Sequence, residues 1–370
     1  MRKNYNIMVI LLVLFNFIWM CAANNNISNI VDSIDIEPQT NCSNCTGGHA
    51  MQRPRPLVVD LVIYNGEPIL QFRLEYLRSV VDIFIIVEAK MTFSGLKKLH
   101  YDLDRTNYTI LRTLREEGKV LEVRLDELRL PDTFDHQSRR GRNATIDAAW
   151  WREKYLRDSA LGAVRNVTAG RRFVLMVTDL DEIPRKDYVS LFPDVYGSLG
   201  AGLRLEMASF IYSFRWRLSI KGNSKWPKSF IITDASFAKS NWLLSLDDLR
   251  HSLPAVYFQD AGWHCSFCLT VDLLIRKFQS FSHMELNTPR NTNPTWLADC
   301  IQDGRDLLRR EVVAISEYEC DTSPRLPVCT SAECPSVQQL PYLHLQRCSY
   351  DDQEPQLTAS ELLHRRTQIK

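Results

Sequence analysis

Two β-branched apolar runs, Leu57-Val-Val-Asp-Leu-Val-Ile-Tyr64 and Ile83-Phe-Ile-Ile-Val87, flank a stretch where Ile69, Leu70, Leu74, Leu77, Val80 and Val81 recur at helical spacing. Strand, helix and strand within about 30 residues form a βαβ unit, and such a crossover requires a parallel sheet covered by helices. The alternation continues. Val120-Leu-Glu-Val-Arg-Leu125 reads as a strand, residues 146–166 as a helix, and Phe173-Val-Leu-Met-Val177 as another buried strand. The stretch from Leu203 to Leu218 is long, aromatic and strand-like, and Ala255-Val-Tyr-Phe258 leads into Ala261-Gly-Trp-His. Cysteine and proline dominate from 320 to 335, as in a bridged, irregular wrap. The expected fold class is α/β with a mostly parallel central sheet.

Residues 7–23 form an apolar run, interrupted by Asn16 and preceded by Arg2 and Lys3. As a helix it would extend about 26 Å, close to the ~27 Å of a thin early-secretory bilayer. No Lys or Arg follows until Arg53, so the positive-inside rule places residues 1–6 in the cytosol and the remainder in the lumen. A type II signal anchor fits. A cleaved signal peptide with secretion is the alternative, because Cys21-Ala22-Ala23 offers small residues for cleavage. Glycosylation sequons at Asn26, Asn41, Asn44, Asn107, Asn143 and Asn166 all follow the run and agree with a lumenal chain. Residues 24–55, rich in Asn, Ser and Gly, read as a stem, residues 56–348 as the folded domain and residues 349–370 as a polar tail.

Of ten cysteines, Cys21 lies inside the apolar run and nine remain. The pairs Cys42/Cys45 and Cys265/Cys268 have half the spacing of a zinc site, but an oxidising lumen favours disulfides, and an odd count leaves one thiol free or intermolecular. Lys plus Arg number 45 and Asp plus Glu 44, a formal charge of +1. That balance gives no field to attract a nucleic acid, so local sites carry the function.

The strand 173–177 runs directly into Thr178-Asp179-Leu180-Asp181-Glu182-Ile183-Pro184. Ligands of open α/β sheets bind outside the C-terminal strand ends, and alternate residues of extended chain face the same way, so Asp179 and Asp181 can face one ion. Mn²⁺ or Mg²⁺ held by few carboxylates and by phosphate oxygens would neutralise a diphosphate leaving group. A solvated acidic turn is the plainer alternative. The buried strand ahead of the acids, the third acid and the lumenal address together suit glycosyl transfer from a nucleotide sugar.

Three separated segments resemble glycosyltransferase family 17: residues 81–95, with Glu88, Thr92 and Gly95; residues 177–184, with the acidic turn; and residues 261–268, with Trp263 and His264. Trp150, Arg152, Glu153 and Arg157 resemble that family's helix before the metal strand, and the likeness spans roughly 57–345. The resemblance implies a GT-A-like nucleotide-sugar-binding fold and an inverting glycosyltransferase of the hexosyltransferase class. It further implies UDP-N-acetylglucosamine as donor, a mannose of N-linked glycans on glycoproteins as acceptor (the bisecting type), and a Golgi membrane address. Another donor or acceptor, or a non-catalytic glycan-binding relative, stays open. One departure is Thr178, where the family often has a further acid.

Each candidate has a plainer reading beside it. Glu88, Thr92 and Gly95 either grip a ribose or base or form an ordinary strand exit with a turning glycine, and Lys97 and Lys98 either meet phosphate or solvate that loop, the latter being expected. Arg157 is either a diphosphate contact or an i, i+4 surface partner of Glu153. Trp263 and His264 either stack on and bond a sugar or belong to a disulfide-tethered core loop, and no hydrolase context accompanies Cys265. Inversion needs a carboxylate base, for which Asp260, Glu182 and Glu206 are candidates, with Glu182 alternatively bracing the metal loop.

Overall fold

The computed structural model describes residues 54–132, 134, 144–253, 256–319, 326–327, 332–340, 343 and 357–368. The apolar run, the stem up to residue 53 and the sequons at Asn26, Asn41, Asn44 and Asn143 lie outside the described residues. Among the described residues no helix is long and apolar enough to cross a membrane. Asn107 and Asn166 are exposed.

Strand β1 (Leu57–Tyr64), the helix Ile69–Leu77 and strand β2 (Ile83–Ala89) form the expected crossover unit, with Val59 opposite Ile83 and Tyr64 opposite Glu88 in parallel register. Strand β3 (Val120–Leu125) lies parallel beside β2, and β4 (Phe173–Val177) lies parallel on the other side of β1. Alternate side chains enter two cores. Val58, Val62, Phe84, Ile86, Val174 and Met176 pack with the helices Ile69–Leu77 and Lys186–Leu199 on one face. Val59, Leu61, Ile85, Val87, Leu175 and Val177 pack with the helices Ala144–Asp158 and Leu161–Thr168 on the other. Burial on both faces is why these strands read as unbroken apolar runs.

The rest of the sheet departs from expectation. Strands β5 (Glu182–Pro184), β6 (Gly202–Ile211), β7 (Ser213–Ile220), β8 (Lys225–Thr233), β9 (Val256–Ser266), β10 (Val313–Glu317) and β11 (Arg366–Gln368) follow in the chain. The main path runs β10-β7-β6-β8-β4-β1-β2-β3, and the neighbours from β10 through to β4 pair antiparallel. The fold is therefore mixed α/β, not mostly parallel. Tyr212, at φ 63°, reverses the chain after β6, so β7 and β8 run back against it and β8 fits beside β4. No glycine or proline marks that reversal, which falls inside the stretch expected to be one strand. The Tyr212 hydroxyl donates to the carbonyl of Arg305 and accepts from the N–H of Leu307, fixing the turn through tertiary contacts.

Strand β9 curls the sheet by pairing with β6, β5 and β11. Its close approach to β5 requires Gly262, where a Cβ would stand 2.3 Å from the Ile183 carbonyl. The expected helix over 146–166 is two helices, broken after Asp158 where the Ser159 hydroxyl bonds back to the Leu156 carbonyl. Residues 357–368 are not a free polar tail: the helix Ala359–His364 buries Leu362, and β11 joins β9.

Candidate active site

Strand β4 delivers Thr178 to Glu182 at its C-terminal end, and the turn is held from beneath by a buried ion pair. Asp60 of β1 and Arg73 of the helix 69–77 are both fully buried and bonded at 2.6 and 2.8 Å. The same guanidinium donates to the Thr178 hydroxyl at 2.6 Å and to the Glu182 carbonyl at 2.7 Å. Thr178 thus supplies the hydroxyl that Arg73 needs.

Glu182, 0% exposed, accepts from four donors: Arg250, the Trp226 indole, the Ser229 hydroxyl and the Asp179 N–H. Of its two roles considered from sequence, this fits the brace, because the carboxylate is fully buried as well as bonded through both oxygens. Asp179 faces outward at 30% side-chain exposure. Its Oδ1 accepts from Arg157 at 3.0 Å and its Oδ2 from Arg250 at 2.6 Å. Burial acts to raise its pKa, but the Arg250 and Arg157 guanidiniums outweigh burial and hold the carboxyl down at about 2.

Asp181, 20% exposed, lies 3.3 Å from the Lys277 ammonium and 3.9 Å from His264 Nε2. Burial works against the Lys277 charge, yet Asp181 and Glu67 override it and raise its pKa. Arg157 is not the surface partner of Glu153: at 3% exposure it binds Glu153, Asp179 and Asp247 together. Desolvation opposes its charge, and those three carboxylates more than restore it, raising its pKa. The His264 imidazole stacks on the Trp226 indole with centroids 4.1 Å apart. His264 Nδ1 and Arg250 Nη1 are buried without a hydrogen-bond partner, and an orphaned buried polar group costs about 1–3 kcal/mol.

Among the described residues no group of three His, Cys, Asp or Glu side chains is arranged to hold a metal ion. Mg²⁺-type ions are commonly held by one or two carboxylates plus substrate phosphates; of the two partly exposed aspartates, Asp179 has both oxygens on arginines and Asp181 lies beside Lys277.

Other expected site residues lie elsewhere. Glu88 is fully buried and accepts from the backbone N–H groups of Asp102 and Leu103 and from Lys98 Nζ. It therefore caps the 3₁₀ turn Asp102–Arg105, and Lys98, 10% exposed between Glu88 and Asp102, does not solvate the loop. Thr92 bonds Ser94 and the N–H of Leu96 within its own turn. Gly95, at φ 94°, leaves room for the Arg152 guanidinium, which a Cβ would meet at 3.1 Å. Trp263, 1% exposed, sits in the core edge-on to Tyr76, while its neighbour His264 points to the opposite face of β9. Cys265 is bridged to Cys268, which removes it as a thiol, and Cys300 is free and buried.

Asp260 occupies the irregular segment of β9 at φ 51°, four residues before His264. Glu206 lies at the matching irregularity of β6 and pairs with Lys225. A cavity of about 820 Å³ opens at the other end of β4, between Arg165, Arg171, Phe173 and Trp242, away from the acidic turn.

Sequence reasoning missed Arg250, Lys277, Trp226 and Asp247. None carries a local motif: Trp226, Arg250 and Lys277 reach the turn from 44 to 96 positions away, and Asp247 reaches Arg157 from 90 positions away.

The charged turn stands at the C-terminal end of a buried strand in a mixed α/β fold. The chain matches the model of Glycosyltransferase family 17 over residues 18–313 and belongs to that family. Glycosyl transfer, with a nucleotide-sugar donor and a glycan acceptor, is the activity that membership implies. No curated protein matches the chain. Among solved structures it is similar to a protein described as a glucose-1-phosphate thymidylyltransferase from Bacillus anthracis, in complex with a sucrose. The identity is 12% and the TM-score 0.33, over 58% of this chain and 92% of that one.

Proposed function

We propose that the protein is an inverting, GT-A-like transferase that moves N-acetylglucosamine from UDP-N-acetylglucosamine to a mannose of N-linked glycans. This is the reaction of a β-1,4-mannosyl-glycoprotein 4-β-N-acetylglucosaminyltransferase. It acts in the Golgi lumen, tethered through residues 7–23. The observation that carries the proposal is the turn bearing Asp179 and Asp181, ringed by Arg157, Arg250 and Lys277.

In this reading the three cations meet the diphosphate and offset the negative charge that grows on it as the glycosyl bond breaks. Asp179 and Asp181 are the residues that would hold Mn²⁺ or Mg²⁺, which when bound would supply Lewis-acid neutralisation of the same leaving group. Glu182 keeps the turn rigid. The Trp226 and His264 stack forms a flat wall beside the acids. Asp260, half-buried and held at left-handed φ, is the proposed base for the acceptor hydroxyl, since Glu182 braces and Glu206 is paired with Lys225.

Incubation of the full chain with a defined N-glycan, Mn²⁺ and either UDP-N-acetylglucosamine or UDP-galactose, read by mass spectrometry, tests the proposal. One added N-acetylhexosamine on mannose is expected. Transfer from UDP-galactose alone corrects the donor, and no product from either sugar overturns the reading.

A further inference from the structure

We infer that Arg250 is a diphosphate-binding residue, and that Asp179 passes from its two arginines to a divalent cation only when a nucleoside diphosphate engages those arginines. The inference rests on the nucleotide-sugar reading above and adds an order of events to it.

Both carboxylate oxygens of Asp179 are already taken, one by Arg157 and one by Arg250. The guanidiniums are anchored from behind: Arg157 by Glu153 and Asp247, Arg250 by the fully buried Glu182. Asp179, at 30% side-chain exposure, is the more exposed member of each pair, against 3% for Arg157 and 9% for Arg250. When a ligand enters, Asp179 is therefore the group that changes partners while the arginines stay.

A dication on Asp179 alone would sit within a few ångströms of two fixed cations in a poorly hydrated site, where like-charge repulsion is strong. A diphosphate relieves this. Its oxygens accept from the guanidiniums, which match phosphate bidentately, and others remain for the ion. Arg250 carries an independent mark of incompleteness: its Nη1 is buried with no acceptor, in a side chain more than nine-tenths buried. The orphan Nδ1 of His264, stacked on the indole that bonds Glu182, lies in the same cluster. Nucleotide and metal thus bind as a coupled pair, and the coupling must be reciprocal.

Mn²⁺ binding to the full chain in detergent, read by the electron paramagnetic resonance of free Mn²⁺, and UDP binding, read by calorimetry, test this without turnover. UDP at saturation is expected to tighten Mn²⁺ by about tenfold or more, and Mn²⁺ to tighten UDP by the same factor. Arg250→Gln should tighten Mn²⁺ binding in the nucleotide-free protein, weaken UDP and bring the coupling toward unity. If that variant fails to fold, Arg250→Lys decides: its ammonium reaches one oxygen where the guanidinium spans two, so UDP should weaken while coupling persists. Unchanged UDP affinity in Arg250→Lys overturns the role of Arg250. Mn²⁺ binding that is equally tight with and without UDP overturns the coupling and leaves the nucleotide-sugar reading standing, whereas absence of UDP binding at saturating Mn²⁺ overturns both.

Discussion

Two exits from the parallel half of the sheet look alike in sequence and differ in what surrounds them. At the end of β2, Glu88 leaves an apolar strand, and at the end of β4, Asp179 to Glu182 do the same. Both exits carry a fully buried glutamate, Glu88 and Glu182. Glu88 is satisfied from its own neighbourhood, by two backbone N–H groups and a lysine 10 to 15 positions away. Glu182 is satisfied chiefly from a distance, by Trp226, Ser229 and Arg250, 44 to 68 positions away. The first arrangement closes a loop on itself. The second draws several elements together beneath two outward-facing aspartates and their cations. A buried acid at a strand end is thus a cap or a keystone according to who reaches it.

The largest expected effect separates the two exits by stability. Glu182→Ala removes one of the two carboxylates paired with Arg250 and takes the acceptor from Trp226 and Ser229 in a buried network, and is expected to cost about 3–5 kcal/mol in denaturant unfolding. A loss below 1 kcal/mol would show that the network is not a keystone. Next, Asp181→Asn should lower kcat by about 100-fold or more with Tm nearly unchanged, since its side chain is partly exposed and lies above the brace. Undiminished turnover would remove Asp181 from the metal and diphosphate role.

Acid stability sharpens the contrast further. Asp179 has its pKa depressed in the folded chain to about 2 from 3.8, so its contribution is fully present above pH ~4 and is lost as pH falls from about 4 to 2. Unfolding midpoints measured across that window should fall less steeply in Asp179→Asn than in the parent chain. The smallest effect belongs to Glu88→Gln, which weakens a local cap by about 1–2 kcal/mol and should leave UDP affinity within about threefold. A collapse of UDP binding in that variant would return the β2 exit to the nucleotide site.

Much of the framework was legible because it is local. The runs at 57–64, 83–89 and 173–177 are buried on both faces, so apolarity alone marks them as central strands. The direction of the remaining strands was not legible, because the reversal at Tyr212 has no turn residue and is held by bonds to Arg305 and Leu307, more than 90 positions away. Trp263 and His264 show the same limit at the scale of one residue. The sequence left both between a sugar site and a core loop, whereas strand alternation sends one to each face, and the register of β9 against β5 and β6 decides which.

By itself, then, the sequence determined the central strands, the acidic turn at the end of β4 and the segments that resemble family 17. These follow from composition and order along a few residues. Only the tertiary structure decided that Glu182 braces, that Glu88 caps, and that Arg157, Arg250 and Lys277 ring the two aspartates. Those cations come from the helices Ala144–Asp158, Leu246–Ser252 and Val271–Ser280. Electrostatic partners are chosen by distance in space, and no spacing along the chain encodes it.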